Sequence, residues 1–382
     1  MLGFFKNKAE QLPGLSTTAE VQKGRGAPKF QPLNVAEVRR ETSDSVSVAF
    51  ALPEELRELF RFRAGQYLTF RTTIDGAEVR RSYSLCSSPL SGELRVAIKQ
   101  VENGVFSTWA NTVLAAGTTL ETMPPQGGFV FDPDGSRTAH YAGFAAGSGI
   151  TPVLSILTTV LEAEPTSTFA LYYGNRSTAT ILFKQELEDL KDRYLGRLEV
   201  HHVLSREDQG ADALKGRIDR DRVELFAERF PALTSARAFY LCGPEPMIHG
   251  VTDALVGLGV PKERVHFELF TAATPGGAPA KSASSKLDKG ATVQATVILD
   301  REETHFNMRP KDFVLDAALD AGADVPYACK GAVCCTCRAK VLEGSVEMAM
   351  NYALSEEEVA DGYVLTCQAT PTSERVVVSF DE

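Results

Sequence analysis

Four of the chain's seven cysteines fall within nine positions of the stretch YACKGAVCCTCRAKV, residues 327–341. Cys329, Cys334 and Cys337 stand in the spacing C-x4-C-x2-C, and Cys367 follows after 29 intervening residues. That spacing wraps four thiolates round a 2Fe-2S cluster. Soft sulfur donors suit iron–sulfide ligation. The small neighbours Gly331, Ala332 and Thr336 let backbone N–H groups approach the sulfurs and tune the potential. The alternative is a four-cysteine zinc site, which ordinarily pairs two C-x2-C knuckles, whereas Cys367 has no second knuckle partner. Cys335, a fifth thiol inside the loop, reads as a small buried filler.

A cluster takes electrons singly and a nicotinamide gives up a hydride, so a group that splits the pair is required between them, and a flavin does this. The segment VRRSYSLCSSP (79–89) contains Arg81-Ser82-Tyr83-Ser84. Alone, this could be a strand with an outward arginine and a packed tyrosine. Ala97-Ile98-Lys99 and GVFST (104–108) follow. There Gly104 permits a close turn, and Ser107 and Thr108 can donate to phosphate oxygens near a helix start. AGSGITP (146–152) follows a predicted strand and opens a predicted helix, the context in which glycines let backbone N–H groups reach a pyrophosphate. CGPEPM (242–247) and VHFELF (265–270) come next.

In this order the segments resemble the ferredoxin-NADP reductase family, and residues 292–382 resemble plant-type ferredoxins, which adopt a β-grasp fold. The first resemblance implies that Arg81 binds the FAD pyrophosphate, Tyr83 packs on the flavin, and the Ser84 hydroxyl lies near the reactive flavin nitrogen. It assigns Ala97, Ile98, Lys99, Gly104, Ser107 and Thr108 to the FAD site, and Gly147, Ser148, Gly149, Thr151 and Pro152 to the nicotinamide nucleotide. Cys242, Gly243, Pro244 and Met247 would lie beside the nicotinamide. Glu268 matches the family's active-site carboxylate, and Phe270 the aromatic that covers the flavin. In single-module reductases that aromatic ends the chain, whereas here the chain continues, and an ordinary core phenylalanine is the other reading of Phe270. Ser205-Arg206-Glu207 resembles the segment in which NADPH-using members bind the 2′-phosphate, with Arg176 as a second cation. A guanidinium suits a phosphate, while a ribose 2′-hydroxyl would call for an acidic acceptor. The expected cofactors are FAD, NADPH and a 2Fe-2S cluster, with Ser84, Cys242 and Glu268 as the catalytic set.

These residues need a multi-domain frame. At 382 residues the chain is too long for one ordinary core. Short β-forming runs broken by turns over 31–133 predict an antiparallel barrel or sandwich, which the resemblance makes an antiparallel β-barrel for FAD. The strand–helix alternation over 134–270 predicts an α/β parallel-sheet nucleotide-binding domain. Residues 271–291, rich in Ala, Gly, Pro and Ser, have a flexible linker's composition. An α+β ferredoxin domain would occupy 292–382, and 1–30 would be an N-terminal extension. Ser355 with Glu358 predicts a capping box closed by Gly362. Met348 and Met350 read as core packing, Glu356 to Glu358 as a helix N-terminus, and His201-His202 as packed or surface residues.

The net charge of −10 argues against nucleic-acid binding. Most of that charge lies after residue 291, suggesting an acidic module steered to a basic partner patch. No apolar run approaches the roughly 20 residues of a membrane helix, and no secretory signal is recognisable, so a cytoplasmic protein is expected. The module order resembles that of oxygenase reductase components. It implies electron flow from NADPH through FAD and the cluster to a di-iron oxygenase subunit of a multicomponent complex. The reductases of Rieske and steroid-hydroxylase oxygenases share the modules and are the alternative. A zinc-stapled binding protein with no redox role is the alternative from another class.

Overall fold

A computed structural model describes residues 29–270 and 292–382. The linker expected at 271–291, and all of the expected extension except Lys29 and Phe30, lie outside the described residues.

The first layer is antiparallel. β1 (Gln31–Thr42), β2 (Ser45–Ala51), β3 (Tyr67–Ile74), β4 (Ala77–Ser84), β5 (Leu94–Lys99) and β6 (Thr119–Thr122) run in the order β4-β3-β6-β1-β2-β5. A bridge between Leu85 and Val96 joins the two outer strands and closes the expected barrel. Its interior holds Leu33, Val48, Leu68, Phe70, Val96 and Phe106. Burying each is worth about 1.5–3 kcal/mol over leaving it exposed. Asp75 and Gly76 both take positive φ (52° and 79°), the geometry of a two-residue hairpin turn that matches strand twist. This turn fixes the β3–β4 register, so that Tyr67 faces Ser84 and Arg71 faces Arg80.

The second layer is all parallel. β7 (His140–Ala146), β8 (Thr168–Asn175), β9 (Leu198–Leu204), β10 (Ala238–Gly243) and β11 (Val265–Leu269) run in the order β11-β10-β7-β8-β9. The helices Ile150–Ala163, Lys184–Arg193, Arg220–Arg229 and Glu245–Gly257 supply the crossovers. After β9 the chain returns to the other side of β7, so the order reverses between β7 and β10. Such a reversal opens a crevice at the carboxyl ends of the strands, where α/β folds bind ligands. One helix begins later than the pattern TATILFKQELEDLKDRY predicts. Ser177 and Thr180 cap a single tight turn, Ile181, Leu182 and Phe183 are buried, and Phe183 enters the helix at φ 60°. Burial of those three apolar side chains overrides their helical spacing.

The third layer is α+β. β12 (Val293–Leu299) and β13 (Glu302–Met308) form the expected hairpin, and β14 (Arg338–Glu343), β16 (Tyr363–Leu365) and β18 (Arg375–Ser379) complete the sheet β13-β12-β18-β14-β16. β18 runs parallel to β12, and the helix Val314–Asp320 packs into the same core. A second small pair joins β15 (Val346–Met348) to β17 (Ala369–Pro371). Ser355 and Glu358 make the expected capping box, and Gly362 follows the helix end at φ 91°. Met348 is buried in the core. Among the described residues no helix is long and apolar enough to cross a membrane.

Candidate redox centre

Three residues from distant parts of the chain meet where the barrel abuts the parallel sheet. Ser84 ends β4, and its hydroxyl donates to Glu268 Oε2 on β11 at 2.9 Å. Cys242 on β10 is the register partner of Glu268. Burial pushes the Glu268 carboxyl up to about 8, opposed by the Ser84 hydrogen bond. The Cys242 thiol is pushed up too, first by burial and then by Glu268. A protonated carboxyl, a hydroxyl and an un-ionised thiol therefore lie together, a neutral group that suits an uncharged, planar ring. The Tyr83 ring lies 5.5 Å from Phe106, and burial pushes its phenol above the usual range. Arg81 is half-buried and donates to the Arg80 carbonyl at 2.7 Å. Ala97 and Ile98 are buried in β5, and Lys99 pairs with Asp44 at 3.1 Å. At Gly104 an added Cβ would meet Ser107 Oγ at 2.4 Å. The Ser107 hydroxyl is engaged by its own turn, donating to the Gly104 carbonyl at 3.2 Å, while Thr108 is partly exposed. Phe270 follows β11 and is 38% exposed.

The nucleotide residues gather at the crevice between β7 and β10. Gly147 takes φ 54° with open space where a side chain would stand. A Cβ on Gly149 would sit 2.1 Å from the Cys242 carbonyl oxygen, and one on Gly243 would sit 2.6 Å from Met247 Cε. The two motifs are thus packed backbone to backbone, leaving Gly147 and Ser148 facing outward. Thr151 and Pro152 are buried in the first helical turn, where a missing proline N–H costs nothing. Gly149→Ala is expected to cost roughly 1–3 kcal/mol through overpacking against an immobile carbonyl, read as a lower melting temperature and weaker nucleotide binding. Unchanged values for both would show that the turn can shift.

Arg176 and Arg206 lie at the carboxyl ends of β8 and β9, joined by a backbone hydrogen bond of 2.8 Å. Both are exposed, as is Ser205, and neither guanidinium forms an ion pair among the described residues. Glu207 accepts from Thr178 N and Thr178 Oγ1, both at 2.7 Å. Its carboxylate is therefore already committed, which leaves the two guanidiniums available to a phosphate.

In the cysteine loop the thiols come as two pairs. Cys329 interacts electrostatically with Cys334, and Cys337 with Cys367. Among the described residues no three potential ligands converge on one point as a single ion would need. Two pairs match the donor set of two irons, two thiolates each. The Cys329 thiol is held below its usual range, first by Cys334 and then by the Gly331, Val333 and Cys334 backbone N–H groups. Lys330, Ala332 and Cys335 take positive φ (50°, 64° and 51°), strain that a binding loop tolerates when the structure around it fixes the path. Gln368 Nε2 clamps the loop at the Lys330 carbonyl, 3.0 Å away. Cys335 turns away from the pairs to the Ala353 carbonyl at 3.3 Å.

Two residues of the centre carry no motif. Tyr67, register partner of Ser84, is buried against Ala328 and Cys334, with its hydroxyl 3.4 Å from Thr336 Oγ1. Arg80 reaches the same loop from β4. No signal in the sequence singles them out. His201 is a packing residue, stacked 4.9 Å from Tyr172 and 4.7 Å from Phe230.

Comparison with known proteins adds the family. Residues 32–131 match the oxidoreductase FAD-binding domain, 144–253 the oxidoreductase NAD-binding domain, and 297–372 the 2Fe-2S iron-sulfur cluster binding domain. The chain is 44% identical to one of the subunits of 1,2-phenylacetyl-CoA epoxidase of Escherichia coli, over 92% of this chain and 98% of that one. It is 36% identical to the ferredoxin reductase component of 3-ketosteroid-9-alpha-monooxygenase of Rhodococcus rhodochrous, over 95% and 100%. The solved phthalate dioxygenase reductase shares the fold at a TM-score of 0.56 and 24% identity, over 92% of this chain and 98% of that one. A flavin barrel, a nicotinamide-nucleotide sheet and a two-iron loop, met in one chain along its whole length by oxygenase reductases, place this protein among the reductase components of multicomponent oxygenases, NAD(P)H-dependent flavin and iron–sulfur oxidoreductases.

Proposed function

We propose that this chain uses NADPH, and that its cluster supplies the di-iron oxygenase subunit of a phenylacetyl-CoA 1,2-epoxidase complex in phenylacetate degradation, in the cytoplasm. Phenylacetyl-CoA binds the partner in this reading. The observation that carries it is the 44% identity, over nearly the full length of both chains, to a component of the Escherichia coli epoxidase. We assign the FAD barrel to 31–133, the NADP domain to 134–270 and the ferredoxin to 292–382.

Arg81 would hold the FAD pyrophosphate and Tyr83 would pack on the ring, with Ala97, Ile98, Lys99, Gly104 and Thr108 lining the site. Gly147, Ser148 and Gly149 would admit the nucleotide pyrophosphate, and Cys242, Gly243, Pro244 and Met247 would flank the nicotinamide. Cys329, Cys334, Cys337 and Cys367 would ligate the irons. When bound, the flavin supplies the change from two-electron to one-electron chemistry. The protein's part is to keep its own charges neutral around that ring: Ser84 donates to Glu268 Oε2, and the Glu268 carboxyl holds its proton at neutral pH.

Reconstituted turnover with a di-iron epoxidase subunit, compared with a Rieske oxygenase, tests the assignment; success with the Rieske partner alone would refute it. Arg206→Ala is expected to raise KM for NADPH about 10- to 100-fold with little change for NADH, because a charge-assisted phosphate contact is worth about 1.5–3 kcal/mol. An equal change for both nucleotides would point to a general role of the loop. The acidic module should dock more slowly as salt rises from about 0.05 to about 0.5 M, where screening shortens to a few Å. A salt-independent rate of partner reduction would argue for apolar docking.

A further inference from the structure

The ferredoxin layer and the FAD barrel meet at two points on one pair of strands. At one end of β3, Tyr67 is buried against Ala328 and Cys334, with the half-buried Cys329 packed on the same cluster. Midway along the pair, Arg80 of β4 sends Nη2 to Asp324 Oδ1 at 3.0 Å and lays its guanidinium 4.3 Å from the centre of the Tyr327 ring. Asp324 and Tyr327 lead directly into the cysteine loop. We propose that Arg80 is the positioning residue that clasps the start of this loop to the barrel and so holds the Cys329–Cys334 pair on the flavin side of the molecule.

The Arg80 side chain is only 5% exposed, and its register partner across β3–β4 is a second arginine, Arg71. Two guanidiniums side by side repel, and a desolvated one needs acid partners. Within the barrel, Arg80 has Glu78 at 2.8 Å and Arg71 has Glu121 at 2.7 Å. The acid shared by both arginines comes from the other module: Asp324 lies 3.0 Å from Arg80 and 3.7 Å from Arg71. Phe30 adds a cation–π face, 4.2 Å from Arg71 and 5.3 Å from Arg80, and its neighbour Lys29 pairs with Asp300 of the ferredoxin layer at 2.8 Å. Each guanidinium has one acid within the barrel, and Asp324 of the other module is the acid the two share; such a bridge is characteristic of an interface, and cation–π and ion-pair contacts on one guanidinium fix its orientation.

The placement also ties docking to the flavin residues. Arg80 immediately precedes Arg81, and Tyr67 is the register partner of Ser84, which bonds Glu268. The clasp and the candidate flavin residues therefore share β3 and β4. Arg80 touches neither substrate nor the four thiols. It acts by setting how much of the time the cysteine loop rests on Tyr67.

The test uses the full-length protein carrying both cofactors, as wild type, Arg80→Gln, Asp324→Asn, the double variant and Arg80→Lys. Small-angle scattering reports compactness, and stopped-flow absorbance separates flavin reduction by NADPH from the later reduction of the cluster. Arg80→Gln and Asp324→Asn are each expected to expand the molecule and slow cluster reduction about 3- to 10-fold, as loss of up to about 1.4 kcal/mol of docking free energy requires. Flavin reduction stays within about twofold, and wild type at about 0.5 M salt moves toward the variants because the clasp is electrostatic. The double variant is no worse than either single one, and Arg80→Lys keeps part of the effect, since an ammonium supplies charge without the fork. Single-variant effects that multiply, or compactness and cluster reduction that match wild type in Asp324→Asn, would overturn the proposal. Should Arg80→Gln fold poorly, the Asp324→Asn comparison stands alone, because that side chain is 73% exposed and contributes nothing to either core.

Discussion

Cys337→Ser is expected to abolish delivery of electrons to the oxygenase while leaving NADPH-dependent dye reduction within about twofold of wild type, since the flavin and nucleotide residues lie in other layers. Serine keeps the shape of the site but replaces a soft, readily ionised donor with a hard hydroxyl that does not part with its proton near neutral pH. Cys337 pairs with Cys367, so the loss disarms one of the two thiol pairs outright. It also leaves Cys367, 4% exposed in the core of the ferredoxin layer, without its partner. The measurements are iron and acid-labile sulfide content, the visible spectrum, and turnover with the oxygenase compared with a soluble dye. Cys335→Ser is the control: its sulfur points to the Ala353 carbonyl, where a hydroxyl donates equally well, and cluster content should be unchanged. If Cys335→Ser also lost the cluster, the ligand assignment would be wrong.

The candidate ligands Cys329, Cys334 and Cys337 stood out in the sequence because their spacing is a property of a short loop, and loop geometry is local. The same holds for Gly149 and Gly243, whose contact is invisible in sequence but whose motifs each sit at a strand end. Tyr67 and Arg80 were not legible. Their partners Thr336 and Asp324 lie 269 and 244 residues away, and nothing in the pattern of a strand records what a separate layer will place on it. The strained backbone at Lys330, Ala332 and Cys335 was hidden for a related reason. Non-glycine residues carry no signal for positive φ, and the loop adopts it because Gln368 and the β-sheet fix both of its ends. The late start of the helix at Lys184 shows the opposite failure, a helical spacing defeated by three buried side chains.

Glu268 gives the second large effect, and its direction follows from its environment. Its carboxyl titrates at about 8 in the folded chain against an ordinary 4.5, so below pH 8 it holds a proton between Ser84 and the strand that carries Cys242. A raised acid favours the protonated fold. Stability relative to Glu268→Gln is therefore equal below pH 4.5, falls progressively from there to about 8, and is level above. The matching kinetic expectation is a rate of flavin reduction by NADPH that is flat below pH 8 and declines above it, where Glu268 acquires a negative charge in the candidate flavin site. Glu268→Gln removes the titration and should flatten that limb. If Glu268 supplies or steers a proton, the variant also slows the reduction on the order of 10²-fold at neutral pH. A variant that only flattened the profile would confine Glu268 to controlling charge. One that slowed the rate while retaining the alkaline limb would place the titrating group elsewhere, with Cys242, whose thiol burial also pushes upward, the next residue to replace.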